Sequence, residues 1–222
     1  MESLESQQQN NERVVKEKIW NESLAKIERI TDGLGKPIDK NIKETVVAFV
    51  VNGFKTSGSC EGHINHAYPY PYIHIDHWDE SPEFLEKRKI LQSEIKSKGY
   101  NKFEDISEKE IELLGKIAKL KQDFEEHSQE VEKKIKSLIE DFYKSHTPSN
   151  PDYMLKAWKG GSFFNICPVS GAGIGLDNKE KFKIKLESMS SEEKELYLKN
   201  NQLEMKAFTE FLKNIFFEKE IE

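Results

Sequence analysis

The chain is poor in several residue classes, and each shortage narrows what it can be. Two cysteines, Cys60 and Cys167, occur in 222 residues, too few for a disulfide framework, and reducing surroundings would keep both as thiols. The longest wholly apolar run is VVAFVV at 46–51, far short of the roughly 20 residues of a membrane-spanning helix. No membrane partner is expected. The stretch MESLESQQQNNERVV lacks the basic and apolar regions of a signal peptide, which predicts a cytoplasmic location. Positive charge is in deficit: 34 Lys and Arg stand against 40 Asp and Glu, for a net charge of −6. Overall charge therefore gives no indication of a nucleic-acid partner. Apolar residues are 36% of the chain and charged residues 33%, with a mean hydropathy of −0.74. Much of the chain must be solvated helix.

What is present organises the chain by pattern. Residues 1–12 read as a disordered N-terminus, followed by a helix over about 14–30 with Val14, Ile19, Leu24, Ile27 and Ile30 as its apolar stripe. From Pro37, apolar residues recur at helical spacing through Val50, and Gly53 stands where a helix C-cap would fall. A β-hairpin through the Asn52-Gly53 turn is the weaker alternative, because FKTSGS makes a poor return strand. In PYPYIHIDHW, Tyr72, His74 and Asp76 alternate with Ile73 and Ile75, the pattern of a short strand with one apolar face.

The segment 82–146 differs in character: a helix over about 82–98, then a second to about Tyr143. In the second, Ile117, Phe124, Val131 and Leu138 fall seven apart, with Lys121 and Ser128 interrupting the seam. SFFNIC and KFKIKL read as further strands, with Trp158 as core beside the first. Ser190 and Glu193 form a capping box for a terminal helix to about Phe217. The expectation is an α+β fold, a small sheet covered by helices and interrupted by a long helical hairpin. Residues 13–81 and 147–222 would make one domain, with 82–146 inserted between its first and second strands. The hairpin is a candidate surface for a protein partner or self-association.

Four of six histidines and one of two cysteines fall between residues 60 and 77. Cys60, His63 and His66 have spacings compatible with ligands on a tight turn around zinc, with His74, Asp76, His77 or Cys167 as further donors. Alternatively Cys60 is a nucleophile, with His63 or His74 as base and Glu61 or Asp76 orienting it. A packed, structural thiol is the plain reading of the same residue. The predicted ligand-binding set is Thr56, Ser59, Cys60, Glu61, His63, His74 and Asp76, with Cys60 and His63 as metal ligands. Cys167 and the glycine-rich loop Gly171–Gly175 are candidates to join it, the loop as a turn or lid.

Thr56, Gly58, Ser59, Cys60, Glu61, Gly62 and His63, followed by Pro69-Tyr70-Pro71, resemble a signature of small bacterial and phage proteins of unassigned function: a helix, a T-x-G-S-C-E-G-H loop and a P-Y-P strand lead-in. More remotely, T-S-x-S-C-x-G-x-I is similar to the motif of the third wybutosine-synthesis protein family, tRNA-modifying methyltransferases. In that family a basic residue follows the glycine, and here the position is His63. The resemblance covers roughly 40 of the 222 residues and implies S-adenosylmethionine or tRNA as ligands. Three readings follow: binding of a small polar ligand or metal ion at the Thr56–His66 loop, a tRNA-modification-type enzyme, and a non-catalytic interaction protein using the helical arm.

Overall fold

A computed structural model describes residues 4–65, 68–77, 86, 89, 90, 93, 108–161, 163–172 and 176–219. Two compact units result, one of residues 1–76 with 136–222 and the other of residues 77–135. The first unit is α+β. Its sheet contains β1 (Thr56–Cys60), β2 (Tyr72–Asp76), β3 (Leu155–Lys159) and β4 (Phe163–Pro168), antiparallel throughout in the order β1-β2-β4-β3. Ile73 and Ile75 of β2, with Phe164 and Ile166 paired beside them on β4, are all essentially inaccessible. Tyr72, His74 and Asp76 point to the other, half-buried face. Period-2 alternation in YIHID thus sets which side of the sheet is core.

Helices α1 (Leu4–Ile27), α2 (Lys43–Val51), α3 (Glu108–Ser145), α4 (Val169–Ala172), α5 (Leu176–Glu187) and α6 (Ser191–Glu218) are described beside the sheet, with 3-10 turns at Lys40–Ile42 and Pro151–Tyr153. β-Branched residues favour strands, yet 46–51 is helical in a setting where most of α2 is enclosed: Thr45, Val46, Val47, Ala48 and Phe49 are buried, while Glu44 and Val50 are exposed. Gly53 takes φ +83° just beyond α2, the left-handed position that glycine occupies at least cost. Phe49 meets Phe208 of α6 edge-on at 6.0 Å, and Phe208 meets Phe142 of α3 at 5.2 Å. Beneath them Thr45 and Thr209 join their hydroxyls at 2.8 Å, while Thr209 donates to the Met205 carbonyl. The capping box is formed: Ser190 Oγ accepts from Glu193 N, and the Glu193 carboxylate accepts from Ser190 N at 2.7 Å.

Several expectations from the sequence are corrected. Residues 4–12 are helical, since glutamine and glutamate are good helix formers and the segment continues the helix that buries Trp20 and Ile27. The expected stripe on that helix is largely solvent-facing, with Val14, Ile19 and Ile30 exposed. Of that stripe Ile27 is buried, together with Trp20 and with Lys16, whose ammonium donates to the carbonyls of Phe217 and Lys219 at the end of α6. A cation there complements the helix dipole. KFKIKL is helix, not strand: Phe182 and Leu186 stand four apart, so the alternating pattern also fits one helical face. Phe182 packs on the Tyr70, Cys167 and Tyr197 cluster, whereas Ile184 is 59% exposed. Trp158 lies within β3, exposed rather than core, with Lys156 Nζ 5.2 Å from its ring. Thr56–Cys60, read as loop, is an edge strand. The chain enters the second unit after β2, between the second and third strands.

In the second unit, α3 begins at Glu108 and the rings of His77 and Phe124 lie 5.3 Å apart. Ser128, the interruption of the heptad seam, is fully buried. The helix expected over 82–98 falls mostly outside the described residues.

Candidate functional site

The site is assembled where β1 ends. Pairing with β2 brings Cys60 opposite Tyr72 and Gly58 opposite His74, with a bulge that absorbs Ser57 between Thr56 and Gly58. Ser and Gly are weak strand formers, and this segment becomes a strand because β2 supplies the partner. Gly58 is required by its neighbour: a Cβ there would lie 2.8 Å from His74 Nδ1. After Cys60 the chain turns through Gly62 at φ +87°, where a Cβ would meet Leu198 Cδ1 and the Tyr70 carbonyl carbon at 2.7 Å. This turn swings His63 back beside Cys60, and His63 N donates to Tyr68 O at 2.8 Å.

Opposite the turn stands Asp39, just before a single 3-10 turn at Lys40–Ile42. Its side chain does not cap that turn. Instead Oδ2 accepts from Glu61 N at 3.2 Å and lies 3.2 Å from His63 Nε2. Asp39, Cys60 and His63 each offer one ligand atom, and the three atoms lie within 4.8 Å of one another. Cys60 is 6% exposed, while the side chains of His63 and Asp39 keep 23% and 32% of their surface open. The thiol thus sits at the back of the cluster and the nitrogen and oxygen donors at its mouth. Glu61 faces away, its Oε2 accepting from Asn41 N at 2.9 Å and its carbonyl from Gln202 Nε2 at 2.9 Å.

Burial pushes the Cys60 thiol above its ordinary range; the Gly62 amide, 3.4 Å from Sγ, works against this, and the nearby carboxylates of Asp39 and Glu61 add to it. Without a cation the sulfur is held protonated. Cys167 is more extreme, pushed up to about 12 by burial alone.

The other expected residues go elsewhere. His74 stacks between Tyr72, 4.8 Å away, and Phe163, 3.9 Å away. Burial lowers its pKa, with Asp76 opposing. Asp76 is bonded to the Ser57 hydroxyl. Cys167 packs with Tyr70 and Tyr197 and accepts from Asn165 Nδ2 at 3.6 Å. His77 is buried near Phe124. Gly171 belongs to α4 and accepts from Tyr70 OH at 3.2 Å, while His66 and residues 173–175 lie outside the described residues. Thr56 and Ser59 line a hollow of about 340 Å³ with Asp39, Ile27, Ile38 and Val46.

Of this group the sequence singles out Cys60 and His63, which the structure brings together, and not Asp39, 21 positions before the cysteine. The available signal was its place beside Pro37 at the start of a helical segment, a position that suits aspartate for capping alone. Comparison of the chain with protein-family models, curated proteins and solved structures yields no match.

Proposed function

We propose that this protein binds a divalent transition-metal ion of the zinc type through Asp39, Cys60 and His63. The observation that carries this reading is the convergence of one carboxylate oxygen, one sulfur and one imidazole nitrogen within 4.8 Å, on a turn that Gly62 alone can make without strain. Thiolate, imidazole and carboxylate are the common zinc donors, and three protein ligands leave a fourth tetrahedral position open, as in reactive rather than closed structural sites. That position would take a small polar ligand from the hollow lined by Thr56, Ser57 and Ser59 beside Asp39. Within this arrangement Glu61 positions the ligands: its main-chain amide orients the Asp39 carboxylate.

The same trio has the composition of a Cys-His-Asp nucleophile, but a thiol held protonated chiefly by burial, with the Asp39 and Glu61 carboxylates adding to it, favours the metal reading. A transferase role of the kind implied by the T-S-x-S-C-x-G-x-I resemblance would use the same loop and would predict S-adenosylmethionine binding by metal-free protein. Titration of metal-free protein with cobalt(II) tests the proposal. One equivalent should bind with a sulfur-to-cobalt charge-transfer band that Cys60→Ser abolishes. Failure to bind one equivalent, or an unchanged spectrum in Cys60→Ser, would remove the metal reading.

A further inference from the structure

A second hollow, of about 400 Å³, lies on the other side of residues 39–41. Consecutive residues divide the two: Asp39 lines the first, Lys40 and Asn41 the second. The second is walled by Lys40 from one side and by Lys199 and Lys206 from α6, with Gln202 between them. Lys199, Gln202 and Lys206 are three and four residues apart on one helix, so their side chains rise from one face. Buried Ile42, Pro71 and Met205 back it, and Leu203, 54% exposed, is its open apolar side chain. None of the three ammonium groups has an ion pair among the described residues. The acids on the same wall are Glu44 and Glu61, and Glu61 is already engaged by the Asn41 amide. Three lysines that line one concave space, none of them in an ion pair among the described residues, favour an oxyanion there over the two glutamates that share the wall. The volume suits a small organic molecule.

We propose that this hollow binds a small phosphate ester, its phosphate held by Lys40, Lys199 and Lys206 and its organic body lying against the exposed Leu203. Glu44 is placed to accept a hydroxyl of that body. The inference stands apart from the metal site, to which it connects only through the backbone of residues 39–41 and Glu61.

The test uses inorganic phosphate as the probe, titrated into full-length protein at constant ionic strength and followed by backbone amide NMR shifts. Saturable shifts confined to residues 40–45 and 199–209 are expected. Lys199→Gln combined with Lys206→Gln should weaken the affinity at least tenfold, and both positions are exposed, so folding is spared. Cys60→Ser, which should lose the metal, should bind phosphate as the wild type does. Linear, unsaturated shifts, or undiminished binding in the double variant, would overturn the proposal. An equal response to acetate would overturn the assignment to phosphate.

Discussion

Oδ2 of Asp39 lies 3.2 Å from Nε2 of His63 and accepts, at the same distance, the amide of Glu61. One carboxylate oxygen thereby ties the residue before the 3-10 turn that leads into α2 to the turn after β1. Replacing it with an amide tests how much of the site depends on charge. Asp39→Asn keeps a carbonyl for the Glu61 amide, so the fold should persist within about 1 kcal/mol. Metal affinity should fall at least tenfold, read by competition with a chromogenic chelator.

Gly62 governs whether the turn can form. Any side chain there faces both a positive φ of 87° and an overlap with Leu198 and the Tyr70 backbone. Gly62→Ala should cost about 2 kcal/mol or more, since strain and overpacking add. Urea unfolding monitored by circular dichroism measures it, and cobalt binding by the same variant should weaken in parallel.

Phe208 connects α2, α3 and α6 through contacts with Phe49, Phe142 and Phe211, and it is inaccessible to solvent. Phe208→Ala should destabilise by about 3–5 kcal/mol. Thr209→Val is subtler: it deprives the buried Thr45 hydroxyl of its partner at 2.8 Å and should cost about 1–3 kcal/mol. Equilibrium denaturation of the two variants separates cavity formation from loss of a polar partner.

His74 gives a pH dependence whose direction follows from its surroundings. Burial between Tyr72 and Phe163 lowers its pKa below the ordinary value of about 6.5. Between the folded and unfolded pKa values the unfolded chain binds more protons, so this group's contribution to stability is complete above about pH 6.5 and lost as the pH falls through that window. The thermal midpoint of the wild type should drop more steeply on acidification than that of His74→Gln. Identical slopes would show that His74 does not titrate differently in the folded state.

Both thiols are held protonated, Cys167 up to about 12, and both are buried. Metal-free native protein should react slowly with a disulfide reagent at neutral pH and release two equivalents promptly in denaturant. Rapid labelling of Cys60 alone in the native state would instead reveal an activated thiolate.

Local rules carried a good part of the way. The capping box at Ser190 and Glu193, the alternation of Tyr72 through Asp76 and the glycine stop after α2 involve residues a few positions apart, so their energetics are contained in short windows. Patterns compatible with two periods misled. KFKIKL alternates like a strand but also places Phe182 and Leu186 one helical turn apart, and the aromatic cluster around Tyr70 and Tyr197 decided in favour of helix. The same holds for α1, where contacts buried Trp20 and Lys16 beside Ile27 and left Val14 and Ile19 of the expected stripe exposed.

The sequence by itself determined the content of the site: a thiol and an imidazole three residues apart on a glycine turn, followed by a strand with one apolar face. Tertiary structure decided its membership. Strand pairing turned Thr56–Cys60 into an edge strand, drew His74 into an aromatic stack and placed Asp76 against Ser57. It also delivered Asp39 to His63 across 24 positions. The reason is physical: spacing in the chain constrains only atoms that share a turn or a strand, whereas a third donor arrives by packing, and packing is settled by the whole core.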